Sequence, residues 1–394
     1  MKILVLGGSG IQGQGALYDL SRNPRVREIV CGDVDVSPLA RWSFLDQSKI
    51  RGVALDAAHG EELAALMGSG VDGVVDLMPQ PLMVRAVEAA IAAGVPLVTT
   101  NYAAAMAHLD ESARERGVAI LPECGFDPGI DLVLYGYGRS RLDSITRLDS
   151  YCGGIPAPEA CDNPLNYKVS WNWAMVLASQ QRPATFIHEG DVVHLPPEQQ
   201  HDNPMIHTIE FPGLGRLEAV PNGDAVHFAH MLGIGDSVVN TGRYSLRWPG
   251  WCEFWRPLNA LGFLGDTPVP GLPEDVTPRR FLEKLLEPRL QYGPRERDLA
   301  LMVNVFEGKK KGAPTRITYT IRVDRDLSTG IMGMAQAVSF PACVALEMLV
   351  SGEIAGKGIL SPVCDIPAKS FLKGLASRGI EISEQITPLS SIPA

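Results

Sequence analysis

The stretch that most constrains this chain is Met1 to Gly15, MKILVLGGSGIQGQG. Four apolar residues, Ile3 to Leu6, run straight into Gly7, Gly8, Gly10, Gly13 and Gly15. A short apolar run bounded by glycine reads as a buried parallel strand, and Ala16 to Leu20 reads as the helix after it. Gly8, Gly10 and Gly13 put G-x-G-x-x-G at that junction, with Ser9, Ile11 and Gln12 between them. One glycine of such a loop makes the tight turn, the next lets backbone approach a pyrophosphate, and the third lets helix pack on strand. The pyrophosphate then rests on the helix N-terminus, where free N–H groups and the helix dipole favour negative charge. A second strand, Arg27 to Asp33, ends in an acid 20 positions after Gly13. A dinucleotide-binding unit keeps its carboxylate for the ribose hydroxyls at about that place. Residues 8–13 and Asp33 are therefore candidate contacts to an NAD(P)(H) cofactor. A carboxylate at Asp33 accepts from both ribose hydroxyls and repels a 2′-phosphate, so NAD(H) is expected over NADP(H). Arg41, eight residues on, is the group able to bend back to a phosphate.

After Asp33, apolar runs alternate with helical stretches. Arg51 to Leu55, Gly73 to Met78, Pro96 to Thr99 and Val118 to Leu121 read as strands. Glu61 to Met67, Leu82 to Ala93 and Ala103 to Arg116 read as the helices between them. Six strands with crossover helices make a doubly wound sheet, whose ligands bind beyond the carboxyl ends of the strands. Those ends carry Met78-Pro79-Gln80-Pro81, Asn101-Tyr102 and Glu123 to Asp127. Met78, Pro79 and Asn101 are the candidate cofactor contacts among them.

Beyond Asp131 the pattern changes. Asp143 to Tyr151, Ile206 to Phe211, Leu299 to Phe306 and Thr315 to Val323 mix apolar and polar residues at strand spacing, which predicts a mostly antiparallel sheet with one covered face. Arg182 to Pro204, rich in Pro and His, is expected to loop out. Lys309 to Lys311 reads as a solvated hairpin tip, and Met334 to Leu349 as a long apolar helix returning the chain to the first domain. The expected fold is thus α/β. A Rossmann dinucleotide-binding domain covers residues 1–125, completed by part of 334–394, and an α+β substrate domain covers 126–333. The cleft between the two is the expected active site.

Composition excludes several classes. The formal charge is −10 and no basic stripe interrupts it, which argues against a nucleic-acid partner. No apolar run is expected to reach membrane-spanning length, and no signal peptide fits a chain that enters a strand within three residues. The seven cysteines are odd in number, scattered, and lack C-x-x-C, so no metal site or disulfide framework is expected and a reduced cytoplasm is the default. Gly7, Gly10 and Gly13 also fit the loop of extended short-chain dehydrogenases. Those enzymes need Tyr-x-x-x-Lys, and no tyrosine here has lysine four positions later.

Three segments could carry chemistry. In LPECGFDPGID, Leu121 to Asp131, Asp127 either caps a helix starting near Pro128 or lines a site. SYCGGIPAP, Ser150 to Pro158, leads to KVSWNW, Lys168 to Trp173, and its Cys152 alone would be an ordinary buried thiol. Arg243 and Arg247 lie four apart in RYSLRW, so they share a face of a strand or neighbour each other on a helix. Their anionic company is either an acid of the protein or a substrate carboxylate.

Glu123 to Leu132, Tyr151 to Trp173 and Arg243 to Phe254 resemble the glutamate-forming saccharopine dehydrogenases (saccharopine reductases) and their wider saccharopine dehydrogenase-like group. A G-x-D-P-G-I-D turn, an S-Y-C-G-G-x-P-A-P run and an L-R-Y/W-x-G segment recur there in this order. The glycine loop and Met334 to Gly358 also fit. The resemblance implies an NAD(P)-dependent oxidoreductase of amino-acid metabolism, lysine metabolism in particular. Its small-molecule substrate is a secondary amine cleaved or formed at a C–N bond, and the expected assembly is a homodimer. It implies Asp127, Cys152 and Tyr102 as catalytic residues, and Asn101, Tyr102, Asp127, Cys152, Arg243 and Arg247 as substrate contacts. The family's saccharopine formers carry an arginine inside P-N-R-D-S, whereas this chain has Pro221-Asn222-Gly223-Asp224-Ala225. A substrate with one carboxylate fewer, or differently placed, is expected. The alternatives are a polyamine dehydrogenase of the carboxynorspermidine type and a dinucleotide-binding redox sensor without catalysis.

Overall fold

The computed structural model describes residues 1–273 and 275–389. In chain order it opens with β1 (Lys2–Leu6), α1 (Ile11–Arg22), β2 (Glu28–Asp33), β3 (Ile50–Ala54), α2 (Gly60–Met67), β4 (Gly73–Asp76), α3 (Gln80–Ala93), β5 (Leu97–Thr99), α4 (Asp110–Glu115), β6 (Ala119–Leu121) and α5 (Ile130–Arg139). Then come β7 (Ser144–Pro156), α6 (Trp173–Ser179), β8 (Ala184–His188), β9 (Asp191–Leu195), β10 (His207–Phe211), β11 (Gly215–Pro221), β12 (Gly223–Asp224), α7 (Ala225–Met231), β13 (Asn240–Arg247), α8 (Trp251–Ala260) and α9 (Pro278–Leu286). The chain closes with β14 (Asp298–Lys310), β15 (Ala313–Asp324), α10 (Gly333–Val350), β16 (Gly358–Ile359), α11 (Ala368–Ala376) and β17 (Ser383–Pro388). Met1–Tyr137 and Met334–Glu381 form a first unit, and Gly138–Gly333 with the chain from Ile382 a second.

The first unit is built on a parallel sheet in the order β16-β6-β5-β4-β1-β2-β3. Strand order reverses between β1 and β4, which makes that gap the switch point where ligands of such sheets bind. β16, from the late part of the chain, adds a seventh strand beside β6 that the sequence pattern did not suggest, because two residues carry no periodicity. The core strands are buried on both sides, as a doubly covered parallel sheet requires. α10 is long and apolar enough to cross a membrane by length and composition, against the expectation that no run reaches that length. It is 83% buried. Gly15 of α1 and Gly73 of β4 leave it room: a Cβ on Gly15 would lie 2.9 Å from Ala335 O, and one on Gly73 2.7 Å from Leu346 Cδ1.

The second unit is built on a ten-stranded sheet whose main path is β10-β11-β13-β7-β14-β15-β17, with β8, β9 and β12 at its side. It is mixed, so the antiparallel expectation holds only in part. β13 runs parallel to β7, and β12 parallel to β8. The reason is the long excursion through α6 and β8–β11, which brings the chain back to β7 in the same direction. Part of the stretch expected to loop out, 182–204, is instead the β8/β9 hairpin. Glu189 (φ 53) and Gly190 (φ 91) make its two-residue turn, with both residues at the positive φ that such hairpins need. Lys311 and Gly312 turn the β14/β15 hairpin in the same way.

A buried ion network ties α11 into the first unit. Arg378 Nε donates to Asp19 Oδ1 at 2.7 Å, and its guanidinium also pairs with Glu347, which Arg25 and Asn23 engage as well. Removing one partner of a buried network strands the others. Arg378→Met should therefore lower stability by about 3 kcal/mol, the scale for breaking a buried pair, read by denaturant melts. A loss within experimental error would show that Asp19 and Glu347 are satisfied without it.

Candidate functional site

The glycine loop of the first unit leaves β1 through Gly7, which holds φ +71. The left-handed turn thus falls on Gly7 rather than on the first glycine of G-x-G-x-x-G. Gly10 ends the loop as the extended N-cap of α1, with no side-chain cap. Gly13 lies against the backbone of Gly8, where any Cβ would collide with the Gly8 carbonyl. Ser9 N–H donates to Asp33 Oδ2 at 2.9 Å, which joins the loop to the end of β2. Ser9 Oγ and Gln12 Oε1 are buried with no partner among the described residues. Close backbone approach, an uncapped helix start and unsatisfied polar atoms fit a dinucleotide phosphate. Gly8, Ser9, Gly10, Ile11, Gln12, Gly13 and Asp33 are the residues that would hold it.

Next to this loop stand the ends of β4 and β5. Asn101 Nδ2 donates to Met78 O at 3.0 Å and to Thr99 Oγ1 at 3.1 Å, so Met78, Pro79 and Asn101 belong to one cluster. Tyr102 follows at 41% exposure, the accessibility that a group meeting substrate needs. The 123–131 turn comes next. Glu123 takes φ 54 while buried, and its N–H donates to Asn101 O at 2.9 Å. α5 begins at Ile130, and Asp131 Oδ1 accepts from the Gly129 N–H at 2.7 Å. Burial pushes Asp131 up to about 7, helped by the like charge of Glu123. In the sequence Glu123 and Asp131 mark the ends of this turn with no role of their own; a strained backbone at a non-glycine residue is invisible there.

In the second unit, β13 carries Arg243, Ser245 and Arg247 on one face, because alternate strand residues share a face. Register sets Arg243 opposite Ser150 and Ser245 opposite Cys152 on β7, and β14 sets Met302 opposite Cys152. Ser150 Oγ donates to Asn304 Oδ1 at 2.9 Å on the same face. Cys152, Arg243 and Arg247 are thus brought together. The Arg243 guanidinium lies 4.6 Å from the Phe228 ring centre. That of Arg247 lies 4.9 Å from Trp251 and 5.7 Å from Tyr167, a pair of rings that sequence reading passed over.

Arg247 is 6% exposed. Its Nη1 donates to Leu246 O at 2.7 Å, its Nε has no acceptor, and no carboxylate among the described residues pairs with it. The acid facing it by register, Glu218, accepts instead from the N–H groups of Gly250 and Cys252 at the start of α8. Burial accordingly lowers the Arg247 guanidinium. Gly223 takes φ +77, which suits glycine and would strain an arginine by about 1–2 kcal/mol. Arg182 brings a guanidinium to the neighbouring Asn222, donating to its Oδ1 at 3.2 Å.

Gly13→Ala should cut dinucleotide affinity by about five- to a hundredfold, since overpacking at a close backbone approach costs roughly 1–3 kcal/mol. Titration of cofactor fluorescence reads it, and unchanged affinity would remove the glycine loop from the site.

Comparison with known proteins agrees with this architecture. Residues 3–121 match the family model described as the saccharopine dehydrogenase NADP binding domain, and residues 125–380 that of the saccharopine dehydrogenase C-terminal domain. The first unit is accordingly a nicotinamide-dinucleotide-binding domain of Rossmann type. The mitochondrial alpha-aminoadipic semialdehyde synthase of Mus musculus is 28% identical over 452 aligned residues, covering 98% of this chain and 48% of that protein. The chain thus spans about half the length of that relative. Saccharopine dehydrogenase (NADP(+), L-glutamate-forming) of Saccharomyces cerevisiae is 26% identical, with 98% of this chain and 99% of that protein covered. The solved apo histidine-tagged saccharopine dehydrogenase (L-Glu forming) from Saccharomyces cerevisiae shares the fold, with TM-score 0.85 at 23% identity over 98% of this chain and 99% of that one. With the two models spanning nearly the whole chain in that order, this protein belongs to the saccharopine dehydrogenase family.

Proposed function

We propose that this protein is an NAD(P)-dependent oxidoreductase acting on the C–N bond of a saccharopine-like secondary amine, in the oxidative direction or its reverse. The observation that carries the reading is Arg247, a guanidinium withdrawn from water with no carboxylate among the described residues beside it. A buried cation costs several kcal/mol unless an anion completes it, and the planar fork of arginine suits a carboxylate. A substrate carboxylate, on the sheet face that also bears Cys152 and Arg243, meets that need. A non-catalytic dinucleotide sensor has no use for it.

The bound dinucleotide supplies hydride acceptance, or hydride donation in reverse. Oxidation takes a hydride from the carbon beside nitrogen and a proton from the nitrogen, leaving an imine. Water then adds, and the C–N bond breaks to an amine and a carbonyl compound. Asp127 is assigned the proton at nitrogen, with Tyr102 and Cys152 as the other catalytic candidates. Asn101, Arg243 and Arg247 orient the substrate. The name of the Saccharomyces cerevisiae relative, saccharopine dehydrogenase, supports a saccharopine-class substrate. Without a side chain at Gly223, a substrate with one carboxylate fewer or differently placed should be preferred, unless Arg182 takes that carboxylate.

NAD(H) is the proposed preference. Asp33 closes β2, and Asp35 follows, held below the usual carboxylate range by the Ser37 hydroxyl. Two negative charges at the ribose end disfavour a third. Rates followed by absorbance of the reduced cofactor should give a higher kcat/KM with NADH than with NADPH; the opposite order would contradict the proposal, and so would equal values.

Asp127→Asn should lose about 10²-fold or more in kcat, the scale of general acid–base catalysis, with fold and cofactor binding kept. Arg247→Ala should raise substrate KM by about ten- to a hundredfold, the worth of one charge-assisted hydrogen bond, with cofactor KM nearly unchanged. A melting temperature that collapses with normal kinetics in the surviving enzyme would make both residues structural.

A further inference from the structure

Asp76 is an acid inside an apolar run, GVVDLM, and the chemistry above makes no use of it. It ends β4 at the switch point of the parallel sheet and is fully buried. Its Oδ1 accepts from the Met78 N–H at 3.0 Å. Its Oδ2 is buried with no hydrogen-bond partner among the described residues. The turn held in this way is shared with the rest of the site. Leu77 N–H donates to Leu6 O at 3.0 Å, and a Cβ on Gly7 would lie 3.0 Å from Leu77 O. Asn101 holds Met78 O through its side-chain amide, and Thr99, beside Asp76, accepts from both the backbone and the side chain of Asn101. One carboxyl therefore underlies the junction of the glycine loop with the ends of β4 and β5.

We propose that Asp76 is a positioning residue of the dinucleotide site: its carboxyl holds the 77–79 turn, and with it Asn101, in the shape that the nicotinamide half of the cofactor requires. The inference rests on the first unit binding a dinucleotide. Burial pushes the Asp76 carboxyl up to about 7, against the pull of the Met78 N–H and the Thr99 hydroxyl. Charged groups of the surrounding elements are engaged elsewhere. Lys2 of β1 reaches Ser69 O, Asp33 of β2 accepts from Ser9, Asp19 of α1 pairs with Arg378, and Arg85 of α3 donates to Ala58 O while Glu88 is exposed. Glu123 and Asp131 act on each other at the end of β6. The neutral acid suits this apolar place. Once ionised, its unpartnered oxygen must find water, which opens the turn. The effect is absent below about pH 7 and grows as pH rises through that value.

Equilibrium binding of NADH and NADPH to the full chain tests this, with melting temperature recorded for each variant. Wild type should bind at least about fivefold more weakly near pH 9 than near pH 6, because the neutral form binds better. Asp76→Asn keeps an acceptor for the Met78 N–H but does not ionise, so its affinity should stay level across that range. Asp76→Leu should bind about tenfold more weakly at both pH values. Parallel pH profiles for wild type and Asp76→Asn would overturn the proposal, as would a destabilised Asp76→Leu with unchanged affinity. A wild type that binds neither dinucleotide would remove the cofactor reading and the proposal together, a result distinct from normal binding with parallel profiles.

Discussion

The first unit depends on how closely α1 can approach β1. Gly8 and Gly13 touch backbone to backbone, and no other residue at Gly13 allows it. That approach aims the start of α1 at the space beyond β1, with no side-chain cap on it. The Gly7 turn then rests on Leu77, so the end of β4 is fixed by the same contact. The glycine loop is largely a backbone construction, bordered by the buried hydrogen bonds of Asp76, Thr99 and Asn101.

The second unit follows another logic. Its central strands divide an apolar, aromatic face from a polar one. Tyr151 and Tyr244 stack at 4.9 Å on the first, while Cys152, Arg243 and Arg247 line the second. The sheet thus carries two arginines into an interior where water cannot screen them. Ring faces offset part of the desolvation of Arg247, and the acid opposite it is committed to a helix start.

Much of this was legible in the sequence where periodicity and glycine chemistry speak together. The strand–glycine–helix opening, the acid at Asp33 and the alternation of Thr315 to Val323 each carry a physical signature in a few residues. What escaped lacks such a signature. The β8/β9 hairpin hides in a Pro- and His-rich stretch, and its Glu189-Gly190 turn is not a usual hairpin dipeptide. The parallel pairing of β13 with β7 depends on where the long excursion from Pro156 to Asn240 returns, which no local pattern encodes. Among the candidate site residues, the two arginines stood out by type and spacing, and Cys152 only through the family resemblance. Asp76 did not, because one acid in an apolar run is read as noise until its burial and its unpartnered oxygen are seen. Glu123 was passed over because its φ is a property of the fold.

Under the proposed function, hydride moves between a nicotinamide and a carbon bonded to nitrogen. Reductive condensation with NADH deuterated at the transferring position, followed by mass spectrometry of the product, traces that hydride. One deuterium should appear on the carbon attached to the secondary amine of a saccharopine-class product. Consumption of the reduced cofactor with no label at that carbon, or label appearing in an alcohol instead, would contradict it.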